Sequence, residues 1–169
     1  MGEDDLQRDL KGVPKETYGS EYGAHLLEQY KLYVQMADKI SERRQTSNAF
    51  FLTINTSLVA MLGVVWSPAD RLIGPAWYVI VGVLGLIICF SWYRLLRSYR
   101  DLNSGKFRVV HAIEHHLPIR PYDAEWTSVG RGENPKLYLP FTHIETKVPW
   151  VFFVLYLVVI LIAARALRG

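Results

Sequence analysis

His111, Glu114 and His115, in the run HAIEH, are the residues of this 169-residue chain whose types and spacing come nearest to chemistry. Their order matches the H-x-x-E-H pattern of inverted zincins. Two imidazoles four residues apart share one helix face and can hold a Zn²⁺, with the glutamate beside them as a base. A third ligand would have to come from His143, Asp123 or Glu125. A five-residue pattern in a segment rich in His and Glu is weak support for a metal centre. The expectation is therefore that His111, His115 and His116 are solvated groups on a helix surface, with no metal and no cofactor.

The second candidate is a set of polar residues inside an apolar stretch. Asn48 and Asn55 are seven residues apart and so share a face of one helix, with Thr53, Thr56 and Ser57 nearby. An amide in lipid must find a hydrogen-bonding partner. This polar face would either line a pore built from several copies or hold helices together, and the second is favoured because no charged residue sits at mid-stretch, where ion paths place one. The same lack of charge argues against a secondary transporter.

Three uncharged apolar stretches must position these residues: Gln45 to Ala69, Leu72 to Tyr93 and Val148 to Ala164. Some 20 residues of helix, at about 1.5 Å each, cross a hydrocarbon core of roughly 30 Å. The expected fold is thus an all-α membrane protein with three transmembrane helices at 47–66, 74–93 and 148–165, a cytoplasmic helical extension at 20–46 and a cytoplasmic loop-rich segment at 94–147. The hydrophobic fraction of 50% conceals this segregation, because nearly all charge lies outside the three stretches. Residues 1–19 mix charge with Gly and Pro and read as a flexible cytoplasmic tail. They carry no apolar signal-peptide core, so the first span is expected to act as the targeting signal, and Leu6 stands where a myristoylation motif wants Ser or Thr. The single cysteine, Cys89, lies within the second span and can form no intrachain disulfide.

Orientation follows from the basic residues. Lys39, Arg43 and Arg44 precede the first span, and Arg94, Arg97, Arg100, Lys106 and Arg108 follow the second, whereas only Asp70 and Arg71 lie between them. By the positive-inside rule the N-terminus and 94–147 are cytoplasmic and the C-terminus is outside. Trp66 and Trp77 then mark the outer surface, and Trp92, Tyr93 and Trp150 the inner one. Arg43, Arg44, Arg94, Arg97 and Arg100 form a basic cluster suited to anionic lipid, so the expected partners include membrane lipids and exclude nucleic acid.

Helix boundaries are also legible. Ser20 reads as an N-cap, and one helix is expected to run without a breaker from Ala24 through the first span, roughly 70 Å in all. Along it Leu26, Tyr30, Tyr33, Ala37 and Ile40 form a seven-residue apolar stripe that must be buried, either against 94–147 or against another copy of the chain; these residues are the expected oligomer contacts. Ser67-Pro68-Ala69-Asp70 suits a tight turn. Asn103-Ser104-Gly105 is expected to end the second helix, with a separate amphipathic helix from Lys106 to His116 and an ordered loop after Pro118. Thr142 to Glu145 fits a capping box that opens the third span.

The runs YKLYVQMADKISERRQTSNAFFLTINTSLVAMLG, RDLNSGKFRVVHAIEHHLPIRPYDAEW and YLPFTHIETKVPWVF resemble the RipA-like family of small octameric bacterial inner-membrane proteins, from about Tyr22 to the end. That resemblance implies a homo-octamer in the bacterial cytoplasmic membrane, and brings no catalytic residues. The first hairpin, with basic residues before Asn48, is also similar to the two-helix SLATT effector modules of nucleotide-signalling defence systems, which implies a pore. The expected function is a non-enzymatic homo-oligomeric scaffold or pore. The alternatives are an effector channel gated by a cytoplasmic signal and, from another class, a zinc-dependent membrane hydrolase.

Overall fold

The computed structural model describes residues 3–65, 74–134, 137–138 and 142–168. All regular structure among them is helical. In chain order the helices are α1 (Glu3–Leu10), α2 (Lys15–Tyr18), α3 (Tyr22–Val65), α4 (Pro75–Glu114), α5 (Pro121–Ser128), α6 (Thr142–Glu145) and α7 (Val148–Ala166), with a 3-10 turn at Gly130–Gly132 after α5. Two of them, α4 and α7, are long and apolar enough to cross a membrane. The turn expected at Ser67–Asp70, and Trp66 beside it, lie outside the described residues.

Of the unbroken helix expected from Ala24 to Trp66, the described part is present as α3, which runs from Tyr22 to Val65. Three local expectations are corrected. Asn103-Ser104-Gly105 does not stop the second helix, because α4 continues to Glu114 and absorbs the helix expected at 106–116. A glycine costs a helix interior only about 1 kcal/mol, and Phe107 and Val110 beyond it supply apolar surface that outweighs this. The stretch after Pro118 holds a helix, α5, whose first residue is Pro121, a residue favoured at that position. The N-terminal residues, read as a flexible tail, contain α1 and α2, and α1 reaches α4 through a bond from Gln7 Nε2 to the Ala112 carbonyl at 3.5 Å.

The chain divides into two compact units, one formed by 1–42 with 100–139, the other by 43–99 with 140–169. In the first, Ala37, Ile40, Val110 and Ala112 are buried together with Glu114. In the second, the core is Leu62, Tyr78, Val81, Cys89, Tyr156 and Ala163, flanked by Leu58, Leu86, Phe152 and Val159. The outward faces of this second unit are also apolar: Ile80 is 62% exposed, Ile87 59% and Val151 69%. Helices that are apolar all round suit a surrounding of lipid.

Candidate functional site

In the second unit the two asparagines of α3, Asn48 and Asn55, turn inward. Asn55 is wholly buried and carries three bonds: its Nδ2 donates to the Phe51 carbonyl at 2.8 Å, its Oδ1 accepts from Cys89 Sγ at 3.3 Å, and its backbone carbonyl accepts from Tyr156 OH at 3.3 Å. Seven residues earlier, Asn48 Oδ1 accepts from Trp92 Nε1 at 3.0 Å, and the Trp92 ring stacks on Phe51 at 5.9 Å between centroids. One amide ladder on α3 thereby ties α4 and α7. Tyr156 reaches Asn55 only because Gly85 has no side chain. A Cβ built there would lie 2.5 Å from the Tyr156 ring, and one on Gly82 would lie 2.5 Å from Ile160 Cγ1. Small residues at this spacing let helix backbones approach closely in lipid.

The hydroxyls on the rest of α3 are handled differently. Thr53 Oγ1 donates to the Ala49 carbonyl at 2.9 Å and Thr56 Oγ1 to the Leu52 carbonyl at 2.5 Å, and both residues are exposed together with Ser57. At one end of this unit Tyr93 and Trp150 meet edge to face at 5.4 Å, so these two aromatics do share a level. Arg44 belongs less to the surface than its place in the basic cluster suggests: its side chain is 19% exposed, and its Nε lies 3.6 Å from Oε2 of the nearly buried Glu145. Arg43, Arg94, Arg97 and Arg100 are exposed.

In the first unit the H-x-x-E-H run does not assemble as a ligand set. Glu114 is wholly buried and turned toward α3 and α5. Its Oε1 accepts from Tyr30 OH at 2.8 Å and from the Tyr122 amide at 3.1 Å, and its Oε2 accepts from the Asp123 amide at 3.1 Å. The reason lies in the start of α5. Pro121 has no N–H, and Arg120 before it has no side-chain oxygen to serve as a cap, so the amides at the next two positions need an acceptor from elsewhere. Glu114 provides both bonds, and the positive end of the helix stabilises its charge. Burial, then the hydrogen bond and charge of Glu114, push the Tyr30 phenol far above its ordinary value; burial, then the charges of Asp38, Glu125 and Glu114, push Tyr122 up as well. His111 is half-buried beside Phe107, while His115 and His116 are exposed. No three of His, Cys, Asp and Glu converge among the described residues; the side chain of His143 lies outside them.

The apolar stripe expected between copies finds partners inside the first unit. Ala37 and Ile40 are buried in the single chain, Tyr30 holds Glu114, and Tyr33 lies under Lys106, whose Nζ is 4.5 Å from the ring centroid. Leu26 is half-buried. In the second unit Asn48 and Asn55 are legible as a pair from the sequence, whereas the identity of their partners Cys89, Trp92 and Tyr156 is not. The signal available for these was a hydrogen-bond donor in each neighbouring apolar helix, together with two glycines three apart. For Glu114 the signal was a proline-initiated helix lacking its own cap.

The family model for the octameric membrane protein family (8xMP) matches residues 27–165, and the chain belongs to that family. Comparison with curated proteins and with solved structures finds no match.

Proposed function

We propose that the chain crosses the bilayer of the bacterial inner membrane three times, through 47–66, 74–93 and 148–165, with the N-terminus and 94–147 in the cytoplasm and the C-terminus outside, and that eight copies form a non-enzymatic scaffold. Membership of the octameric family supports the copy number, and the apolar outer faces of α4 and α7 support the membrane setting. The observation that carries a scaffold over a pore is the inward ladder of Asn48 and Asn55. The Asn55 amide bonds Cys89 and the Phe51 carbonyl and Asn48 Oδ1 bonds Trp92, all within one chain, which supports a subunit closed around its own polar face. The exposed row Thr53, Thr56 and Ser57 favours a second reading, in which hydroxyls of several copies border a water path. The basic residues Arg43, Arg94, Arg97 and Arg100 would sit at the anionic inner surface.

Reconstitution into liposomes tests this. A scaffold leaves a trapped ion gradient as stable as in protein-free vesicles. Steady flux means the pore, flux only on addition of a soluble activator means the gated channel, and zinc-dependent hydrolysis means the enzyme. Maleimide labelling of whole cells checks orientation: Arg168→Cys should react and Glu133→Cys should not, and reaction at Glu133→Cys would invert the topology.

A further inference from the structure

The stripe Leu26, Tyr30, Tyr33, Ala37 and Ile40 is used within the chain, yet an octamer must bury surface between copies. In lipid the helices gain no hydrophobic drive from association, so an apolar surface in water is the stronger source of subunit affinity. The first unit holds such a surface on α3. At 3.6 residues per turn, this part of α3 carries three parallel stripes, each stepping by alternate threes and fours. One is the inward stripe. A second, Glu28, Lys31, Gln35, Asp38 and Glu42, is polar, charged at all but Gln35, and exposed, with Glu28 and Lys31 paired at 3.0 Å. The third lies beside the inward one and runs through His25, Gln29, Leu32 and Met36; Leu32 is 59% exposed and Met36 45%.

Two large apolar side chains one turn apart, with uncharged Gln29 preceding them, stand out on a helix whose next face carries four charges and one amide. The charges of that face place this stretch of α3 in water, where the described residues leave Leu32 and Met36 largely uncovered. A lipid surface is a poor occupant: the basic residues that continue this stripe, Lys39 and Arg43, lie further toward the apolar half of α3, and the adjoining exposed face carries Glu28, Asp38 and Glu42 against Lys31, a net negative charge that anionic headgroups repel. A second copy fits better: the chain belongs to an octameric family, and a closed assembly requires every copy to offer the same strip. We infer that Leu32 and Met36 of α3 form a contact between neighbouring copies in the octamer. The inference rests on the octameric assembly and not on the choice between scaffold and pore.

Two measurements on the full-length protein test it. Met36→Cys should react with a water-soluble maleimide about ten-fold more slowly in the assembled octamer than after dissociation in harsh detergent, since thiol reactivity follows exposure. Gln35→Cys, on the charged stripe, should react equally fast in both. The double variant Leu32→Gln with Met36→Gln, which keeps helix propensity and alters only exposed positions, should fall to smaller species in native mass spectrometry while retaining wild-type helicity. Equal labelling of Cys at position 36 in both states, or a double variant that remains octameric, overturns the contact. A wild type that is monomeric under the same conditions overturns the assembly itself and the contact with it, and that result is read from the wild type alone.

Discussion

Glu114 in the first unit and Asn55 in the second are both wholly buried, and the contrast in how they are satisfied shows what each surrounding tolerates. Glu114 is a carboxylate held by one phenol and two amides at a helix start, so its oxygens have charge-assisted partners in place of water. Asn55 is neutral. It meets a carbonyl, a thiol and a phenol, none of them charged. Where the outer faces are apolar, an ion would carry a heavy desolvation cost, and an amide joins α3 to α4 without one, while the Asn55 backbone carbonyl takes the bond from α7. The first unit organises itself around a buried charge; the second around a buried dipole.

The largest test of this contrast is removal of the charge. Glu114→Leu leaves the amides of Tyr122 and Asp123 and the Tyr30 hydroxyl without their acceptor, and should destabilise the first unit by about 3 kcal/mol. Hydrogen exchange should show the α5 amides opening while those of α7 keep their protection. Equal loss in both helices would mean that the two units do not respond separately. Glu114→Gln, which retains an acceptor oxygen, should cost less.

A steric test comes next. Gly85→Val places a side chain where the Tyr156 ring lies and should destabilise the second unit by about 2 kcal/mol, read as a lower unfolding temperature in detergent. Full recovery in the double variant with Tyr156→Ala would confirm that the ring is the obstacle; no recovery would point to backbone displacement.

Smaller still is the effect of the amide. Asn55→Ala removes the bonds to Cys89 and Phe51 but keeps the backbone carbonyl that Tyr156 uses, so a loss of about 1 kcal/mol is expected from detergent unfolding curves. A loss as large as that of Glu114→Leu would erase the distinction between buried charge and buried dipole.

The smallest effect is in the alkaline pH dependence. The Tyr30 phenol is raised above its ordinary value of 10.0 in the folded chain, so the unfolded chain loses that proton first as pH rises. Its contribution is present in full below pH 10 and declines above it. Tyr30→Phe should flatten the fall in stability measured between pH 9 and pH 11, and an unchanged slope would assign that fall to Tyr122 or to another group.

Much of this was open to sequence reasoning. The apolar stretches announce themselves through length and lack of charge, and the seven-residue spacing of Asn48 and Asn55 assigns both to one face before any partner is known. Periodicity also places Tyr30, Tyr33, Ala37 and Ile40 on one stripe. It cannot say what covers that stripe, because a neighbouring copy and a later segment of the same chain offer identical chemistry. Glu114 shows the limit most plainly: beside two histidines it reads as a metal motif, and only the arrival of α5 with a proline at its start turns it into a helix cap.

What the chain determines by itself is local, namely which segments are helical, which are apolar enough for lipid and which residues share a face, since these follow from covalent spacing and the hydropathy of neighbours. What the tertiary structure decides is which face meets which. The inward turn of Asn48 and Asn55 depends on donors 44 and 34 residues away, and the fate of Glu114 on the amides of Tyr122 and Asp123 in α5, beyond Pro118. A hydrogen bond is specific to distance and direction, and those are set by packing between segments that no local pattern connects.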